Sequence, residues 1–181
     1  MSDILTYKGI TMDPLNPRPE DLEIEDIAHA LSMIARANGH FPIRHLVAQH
    51  CIECSEEARM RGLSSRMQLL CLLHDGAEAY LGDFVSPVKH LMQEYTRAED
   101  QLLEMVYEKF AGRCPSPEEE AVVKEIDKTL LYYEFLELMG CPVGELPEQP
   151  LQSEPQFVEK DWKGVEEEFL TLYRKLCREL A

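Results

Sequence analysis

The chain has 181 residues, 45% of them hydrophobic and 29% charged, with a formal net charge of -16, enough for a single globular domain, 1-181, with a substantial buried core. That charge argues against a nucleic-acid polymer as partner, because displacing counterions from a polyanion needs clustered Lys and Arg. No stretch approaches the roughly 20 apolar residues of a membrane-spanning helix, and Met1 to Ile10 lacks the basic and apolar regions of a secretory signal, so a cytoplasmic protein with no membrane partner is expected.

Pro14, Pro17 and Pro19 predict an irregular N-terminal arm over 1-19. From there the pattern is helical. Leu22, Ile24, Ile27, Ala28, Leu31, Ile34 and Ala35 recur at helical spacing and predict a helix from about Pro19 to Ala37, stopped by Gly39. A second helix is expected over His45 to Arg61, ended by Gly62, and a third after the cap Ser64. The run Met67, Leu69, Leu70, Cys71, Leu72, Leu73 is apolar almost all round, as a central helix buried on every side would be. Gly82 to Pro87 predicts a loop, and Val88 to Phe110 one or two amphipathic helices. Ser116-Pro117-Glu118-Glu119 combines a cap, a first-turn proline and acidic residues at the positive end of the dipole, starting a helix that runs to about Met139. A long loop, 141-158, then precedes a C-terminal helix over 161-180. The fold class is therefore all-α, a compact helical bundle of about six or more helices.

The six cysteines are expected to be reduced, since three lie in helical, apolar-patterned segments rather than in a loop-rich secreted framework. Cys51 and Cys54 form a CxxC with no second pair at zinc-ribbon spacing and are expected to be small core residues.

His74-Asp75 follows the apolar run directly, where an ionised carboxylate needs a cationic partner to offset its desolvation. By itself the pair is as readily a structural helix end. His50, with Leu46 and Cys54 one turn away on either side, and Asp127, with Val123 and Leu131, lie on the apolar faces of two other predicted helices. Taken together, His50, His74, Asp75 and Asp127 offer two imidazoles and two carboxylates. That mixed set suits one divalent transition metal ion (Co, Mn, Zn, Fe or Ni) with positions left for water and a phosphate oxygen.

Glu78 lies three residues after Asp75 and four after His74, so a helix continuing past Gly76 would carry its carboxylate to the same side, as a candidate general acid/base. The alternative is a solvated helix-end glutamate. Asp83, beside Gly82, is either a second catalytic carboxylate or a turn residue. Arg36, His40, Arg44 and Lys89 are the candidate substrate-binding cations for a small phosphorylated ligand, each singly no better than a surface charge.

The ordered set His50, His74-Asp75, Asp127 resembles the metal ligands of the HD-domain phosphohydrolases. The string His74-Asp75-Gly76-Ala77-Glu78-Ala79-Tyr80-Leu81-Gly82-Asp83, then Ser86-Pro87-Val88-Lys89, is similar to the central motif of their YfbR-like 5′-deoxynucleotidase group. Ile24 to Leu31 and Val47-Ala48-Gln49-His50 look more like a partly phage-associated sub-branch. The resemblance covers roughly Leu22 to Tyr133. It implies an HD-type helical bundle, catalytic roles for Glu78 and Asp83, and a homodimer. Where the group carries an Arg-Trp pair that holds phosphate and selects deoxyribose, Gly39-His40 stands here, so selectivity for deoxyribose does not carry over. Two-metal relatives add histidines between the His-Asp pair and the last aspartate; here only His90 lies between, which implies one metal and a helix-face role for His90. The expected activity is removal of phosphate from a nucleoside or deoxynucleoside 5′-monophosphate, with a deoxynucleoside triphosphate triphosphohydrolase or a non-catalytic metal- or nucleotide-binding module as alternatives.

Overall fold

The computed structural model describes residues 3–89 and 91–181; the expectation for His90 lies outside them. At the N-terminus, β1 (Ile4–Leu5) and β2 (Thr11–Met12) pair antiparallel. The arm predicted as irregular is thus a small hairpin, closed by Thr6 N donating to Ile10 O at 2.9 Å and tied down by Lys8 N donating to Asp26 Oδ1 at 2.7 Å. The prolines act only after it, where Pro19–Asp21 forms a single 3₁₀ turn.

The first predicted helix is cut at both ends to α1 (Ile24–Leu31). What shortens it is pairing at long range. The chain beyond Ser32 extends so that Ala35 bridges Leu46, with Arg36 N donating to His45 O at 2.9 Å and Val47 N to Ile34 O at 3.0 Å. Ala37 and Asn38 then take positive φ (52° and 50°) to turn the chain back. α2 (Val47–Met60) follows, then α3 (Ser65–Leu73), whose cap Ser64 accepts from Met67 N at 3.3 Å. Met67 to Leu73 are all buried, and α3 is the central helix that the apolar run predicts.

The helix does not continue past Gly76. It stops at Leu73, turns through His74 to Ala77 and restarts as the one-turn α4 (Glu78–Leu81). The predicted loop is also shorter than expected, because α5 (Ser86–Lys89) forms before α6 (Gln93–Ala111). Gly76 is where α6 comes closest: a Cβ there would lie 2.9 Å from Val106 Cγ1 and 3.0 Å from Leu73 O. Gly76→Ala is therefore expected to destabilise the protein by about 1–3 kcal/mol through overpacking. Urea unfolding measures this, and an unchanged midpoint would mean that the turn tolerates a side chain.

α7 (Pro117–Met139) starts at the expected cap, Ser116 and Glu119 satisfying each other's backbone N–H, and ends at Gly140. Its first turn is fastened to α3 by Arg66 Nε donating to Glu119 at 2.7 Å. The 141-158 segment carries no helix or strand. It is held on α2 by Glu57, which accepts from Gln152 N and Ser153 N, and by Gln49 Nε2 donating to Val158 O at 3.2 Å. α8 (Trp162–Leu180), capped by Asp161, buries Val165, Phe169 and Leu176 in the core and packs on α3, α2 and α1. Six helices of eight residues or more and one two-stranded hairpin make the described residues a mostly α-helical bundle around α3. No helix among them is long and apolar enough to cross a membrane.

Candidate metal centre

Three helices deliver the four predicted ligands to one point. His50 comes from the middle of α2, His74 and Asp75 from the turn that ends α3, and Asp127 from α7. His50 Nε2 lies 3.0 Å from Asp127 Oδ1 and 4.0 Å from Asp75 Oδ2. His74 Nε2 lies 3.3 Å from Asp75 Oδ1 and 3.7 Å from Asp127 Oδ1. Donors about 2.1 Å from a common ion stand about 3 Å apart at right angles, so these separations suit a single cation.

The far side of each imidazole fixes which nitrogen faces that point. His50 Nδ1 donates to Glu134 Oε1 at 2.6 Å, and His74 Nδ1 donates to the Cys71 carbonyl at 2.8 Å. Both Nε2 lone pairs are thereby turned inward, the arrangement that orients ligating histidines. His74 Nε2 is buried with no hydrogen-bond partner. His50 Nε2 and Asp127 Oδ1, two acceptors at 3.0 Å, need a cation or proton between them. Burial alone would raise the Asp127 carboxyl, yet the facing His50 and His74 imidazoles hold it well below its ordinary value. The donor set, its orientation and its unmet charge all fit a metal ion. Cys54 adjoins it, Sγ 3.5 Å from His50 Nε2; among the described residues, the clusters at this point whose ligand atoms all lie close enough to share one ion are His50, Cys54 and His74, and Cys51, His74 and Asp75, with Asp127 in neither. All six cysteines are free and three are buried, as expected, though Cys51 and Cys54 sit against the centre rather than in anonymous core.

Two cavities open on the ligands, and Asp75, Glu78, Lys89 and Asp127 line both. One, of about 310 Å³, is walled by Arg36, Asp83 and apolar side chains, among them Phe41, Phe84, Leu131, Phe135 and Val143. The other, of about 560 Å³, carries Glu99, Asp100, Glu104 and Glu120 against Lys124.

Glu78 reaches the shared wall despite the break in the helix, because the turn over 74–77 carries α4 back toward Asp75. It is buried; Oε1 accepts from Lys89 Nζ at 2.9 Å, whereas Oε2 has no partner. Burial, then repulsion from Asp75 and Asp83, pushes its carboxyl well above the ordinary value. Asp83, half-buried in the smaller cavity, is raised mainly by burial as well.

Of the four predicted cations the structure brings two to the site. Arg36 stands with NH1 3.5 Å from Asp75 Oδ2 and Nε 3.1 Å from Glu134 Oε2. Lys89 is engaged by Glu78 and, at 2.7 Å, by Glu99. His40 is exposed and lines neither cavity, and Arg44 points to Glu159 at 3.8 Å on the surface. The reason is the turn at Ala37 and Asn38, which folds Arg36 inward and leaves His40 and Arg44 outside. Neither Glu99 nor the buried group His45, Glu53 and Glu134, whose donor atoms are close enough to hold a cation of their own, was foreseen from sequence. Glu134 had one legible signal: it follows Asp127 by seven residues and so shares its helix face.

No family model matches the chain. Over 144 residues it is 38% identical to the uncharacterized protein RCAP_rcc00048 of Rhodobacter capsulatus, covering 76% of this chain and 73% of that protein. The chain belongs to that protein's family. A second member-like relative, the uncharacterized protein YfdR of Escherichia coli K12, is 35% identical over 112 residues, 61% of this chain and 59% of its own length. Neither printed name carries an activity, so the chemistry of this family rests here on the site itself.

Proposed function

We propose that the protein is a metal-dependent phosphohydrolase of the HD type that removes phosphate from a nucleoside or deoxynucleoside 5′-monophosphate, with water as the nucleophile. The observation that carries this reading is the convergence of His50, His74, Asp75 and Asp127 with both Nε2 atoms turned inward and His74 Nε2 left without a partner. A divalent transition ion such as Co, Mn, Zn, Fe or Ni, held by those four residues, would supply a Lewis acid for phosphoryl oxygens and lower the pKa of water in the site.

The chain's own residues supply the rest. Arg36, lining the smaller cavity between Asp75 and Glu134, binds a phosphoryl oxygen through its guanidinium. Glu78 Oε2 holds the proton that the leaving alkoxide takes as the ester P–O bond breaks, and one proton of the attacking water, which Asp83 on the same wall orients, returns to Glu78 as the new P–O bond forms. Phe41, Phe84 and Phe135 exclude bulk water and face the organic part of the ester. The acidic lining of the larger cavity favours a monophosphate over a triphosphate, whose extra charges would meet Glu99, Asp100, Glu104 and Glu120. The same reading has the enzyme working in the cytoplasm as a homodimer on this small substrate.

The deciding experiment is elemental analysis of the purified protein combined with a nucleotide panel assayed under Mn, Co, Zn and Mg. Release of inorganic phosphate from 5′-monophosphates is expected. Release of triphosphate would replace this reading by the triphosphohydrolase, and no turnover with any metal would leave a binding module. Arg36→Met is expected to raise KM for the best monophosphate at least tenfold while bound metal stays stoichiometric, as loss of a charge-assisted contact to phosphate predicts. An unchanged KM would remove Arg36 from the phosphate site.

A further inference from the structure

We infer that Glu134 is a positioning residue, one buried carboxylate that holds the metal-facing orientation of His50 and the phosphate-facing orientation of Arg36 at the same time. The inference rests on the metal centre of the proposed function and goes beyond it, since Glu134 itself lines neither cavity.

Glu134 lies on α7 two turns beyond Asp127 and is fully buried. A carboxylate there is strongly unfavourable unless each oxygen is met. Oε1 accepts from His50 Nδ1 at 2.6 Å, and Oε2 accepts from Arg36 Nε at 3.1 Å. A planar group thus fixes the ring of a metal ligand through one oxygen and a guanidinium through the other. The ring bond sets the His50 tautomer that leaves Nε2 free for a cation. The guanidinium bond uses Nε and leaves NH1 toward Asp75.

His45 also faces the Oε1 oxygen of Glu134. His45 Nε2 lies 3.5 Å from Glu134 Oε1 and 3.3 Å from Glu53 Oε2, all three residues being buried. Phe41 and Phe157 hold the His45 ring edge-on from two sides. Although burial disfavours its charge, the two carboxylates push His45 up to about 9, so that near neutral pH it carries a compensating proton. Arg36 and His45 are thus basic side chains that face Glu134 beside His50.

One group shared by both functions makes them reciprocal. A cation on Nε2 makes the Nδ1–H of His50 a stronger donor to Glu134, and a carboxylate drawn to His50 carries Arg36 with it. Metal and phosphate should each tighten the other's binding by the same factor.

The test uses the full-length protein stripped of metal and titrated calorimetrically with Mn(II), with and without inorganic phosphate. Wild type is expected to bind Mn(II) more tightly with phosphate present. Glu134→Gln is expected to weaken Mn(II) binding 10- to 100-fold, the usual loss for an outer partner of a ligating histidine, and to diminish the phosphate effect to what direct contact of phosphate with the ion supplies. Glu57→Gln provides a burial-matched comparison, because Glu57 is equally buried on α2 but bonds Arg61, Gln152 and Ser153 away from the centre. It should lower the thermal midpoint and leave Mn(II) affinity within twofold. If Glu134→Gln fails to fold, Glu134→Asp keeps the charge but withdraws it by one methylene, and should bind Mn(II) at least tenfold more weakly in a folded protein. Mn(II) affinity within twofold of wild type in a folded Glu134 variant overturns the inference, as does an equal loss in Glu57→Gln. No turnover enters these measurements. A wild type that binds Mn(II) but hydrolyses nothing would remove the proposed reaction and leave this inference standing on its own comparison.

Discussion

Asp127→Ala is expected to lose stoichiometric metal and, with it, all measurable phosphatase activity. Asp127 Oδ1 is the donor that lies near both imidazoles, 3.0 Å from His50 Nε2 and 3.7 Å from His74 Nε2. Its removal opens the set on the α7 side and leaves three donors from α2 and the end of α3. The loss should exceed the ~10- to 100-fold that an outer-shell partner costs. Thermal unfolding gives an independent readout, since a ligand that binds only the folded state stabilises it by about 2.7 kcal/mol at a hundred times its dissociation constant. Wild type at that Mn(II) concentration should gain this stabilisation and lose it on adding a chelator, whereas Asp127→Ala should show neither change. Because His50 and His74 hold the Asp127 carboxyl low even without metal, Asp127 also stabilises the metal-free fold, and metal-free Asp127→Ala should unfold somewhat earlier than metal-free wild type. Metal binding by Asp127→Ala equal to wild type would mean that the ion, if any, sits elsewhere, for example at His45, Glu53 and Glu134.

Glu78→Gln is expected to keep the metal and lower kcat by roughly 10²- to 10⁴-fold, the range over which a positioned acid or base contributes. The amide preserves the size of the side chain and a bond with Lys89 but carries no transferable proton. Because the Glu78 carboxyl is raised, activity that needs its protonated form is present below that pKa and is lost as pH climbs through it. The corresponding limb should vanish from the pH–rate profile of the variant, while KM changes little. A Glu78→Gln enzyme with unchanged kcat and the same profile would return Glu78 to a structural role, that of neutralising Lys89 together with Glu99.

Much of the architecture was legible because it is written locally. Ser64, Ser116 and Asp161 each announce a helix start within three residues, and each side chain accepts the backbone N–H it should. The all-apolar run over 67–73 could only be central, and it is. The four converging residues were legible for a related reason: a charged or imidazole side chain in an apolar periodic face has nowhere to point but inward. Where local signals and long-range contacts disagreed, the sequence misled. Helical periodicity continues through Ile34 and Ala35, yet those residues pair with the strand-like stretch before α2. The hairpin over 4–12 lacked the alternation that predicts strands, being only two residues on each side.

By itself, then, the sequence determined the helices that have caps, the central position of α3, and His50, His74, Asp75 and Asp127 as an inward-facing set. The tertiary structure alone decided which cations reach that set and what holds it in place. Arg36 meets Glu134 across 98 residues and His50 meets it across 84, contacts that no window of sequence contains. Periodicity and capping are settled by neighbours within a turn or two, whereas the partner of a buried charge is settled by which helices pack together. For that reason the four inward-facing residues could be named from the sequence, while the carboxylate that meets both His50 and Arg36 became visible only when α2 and α7 were seen side by side.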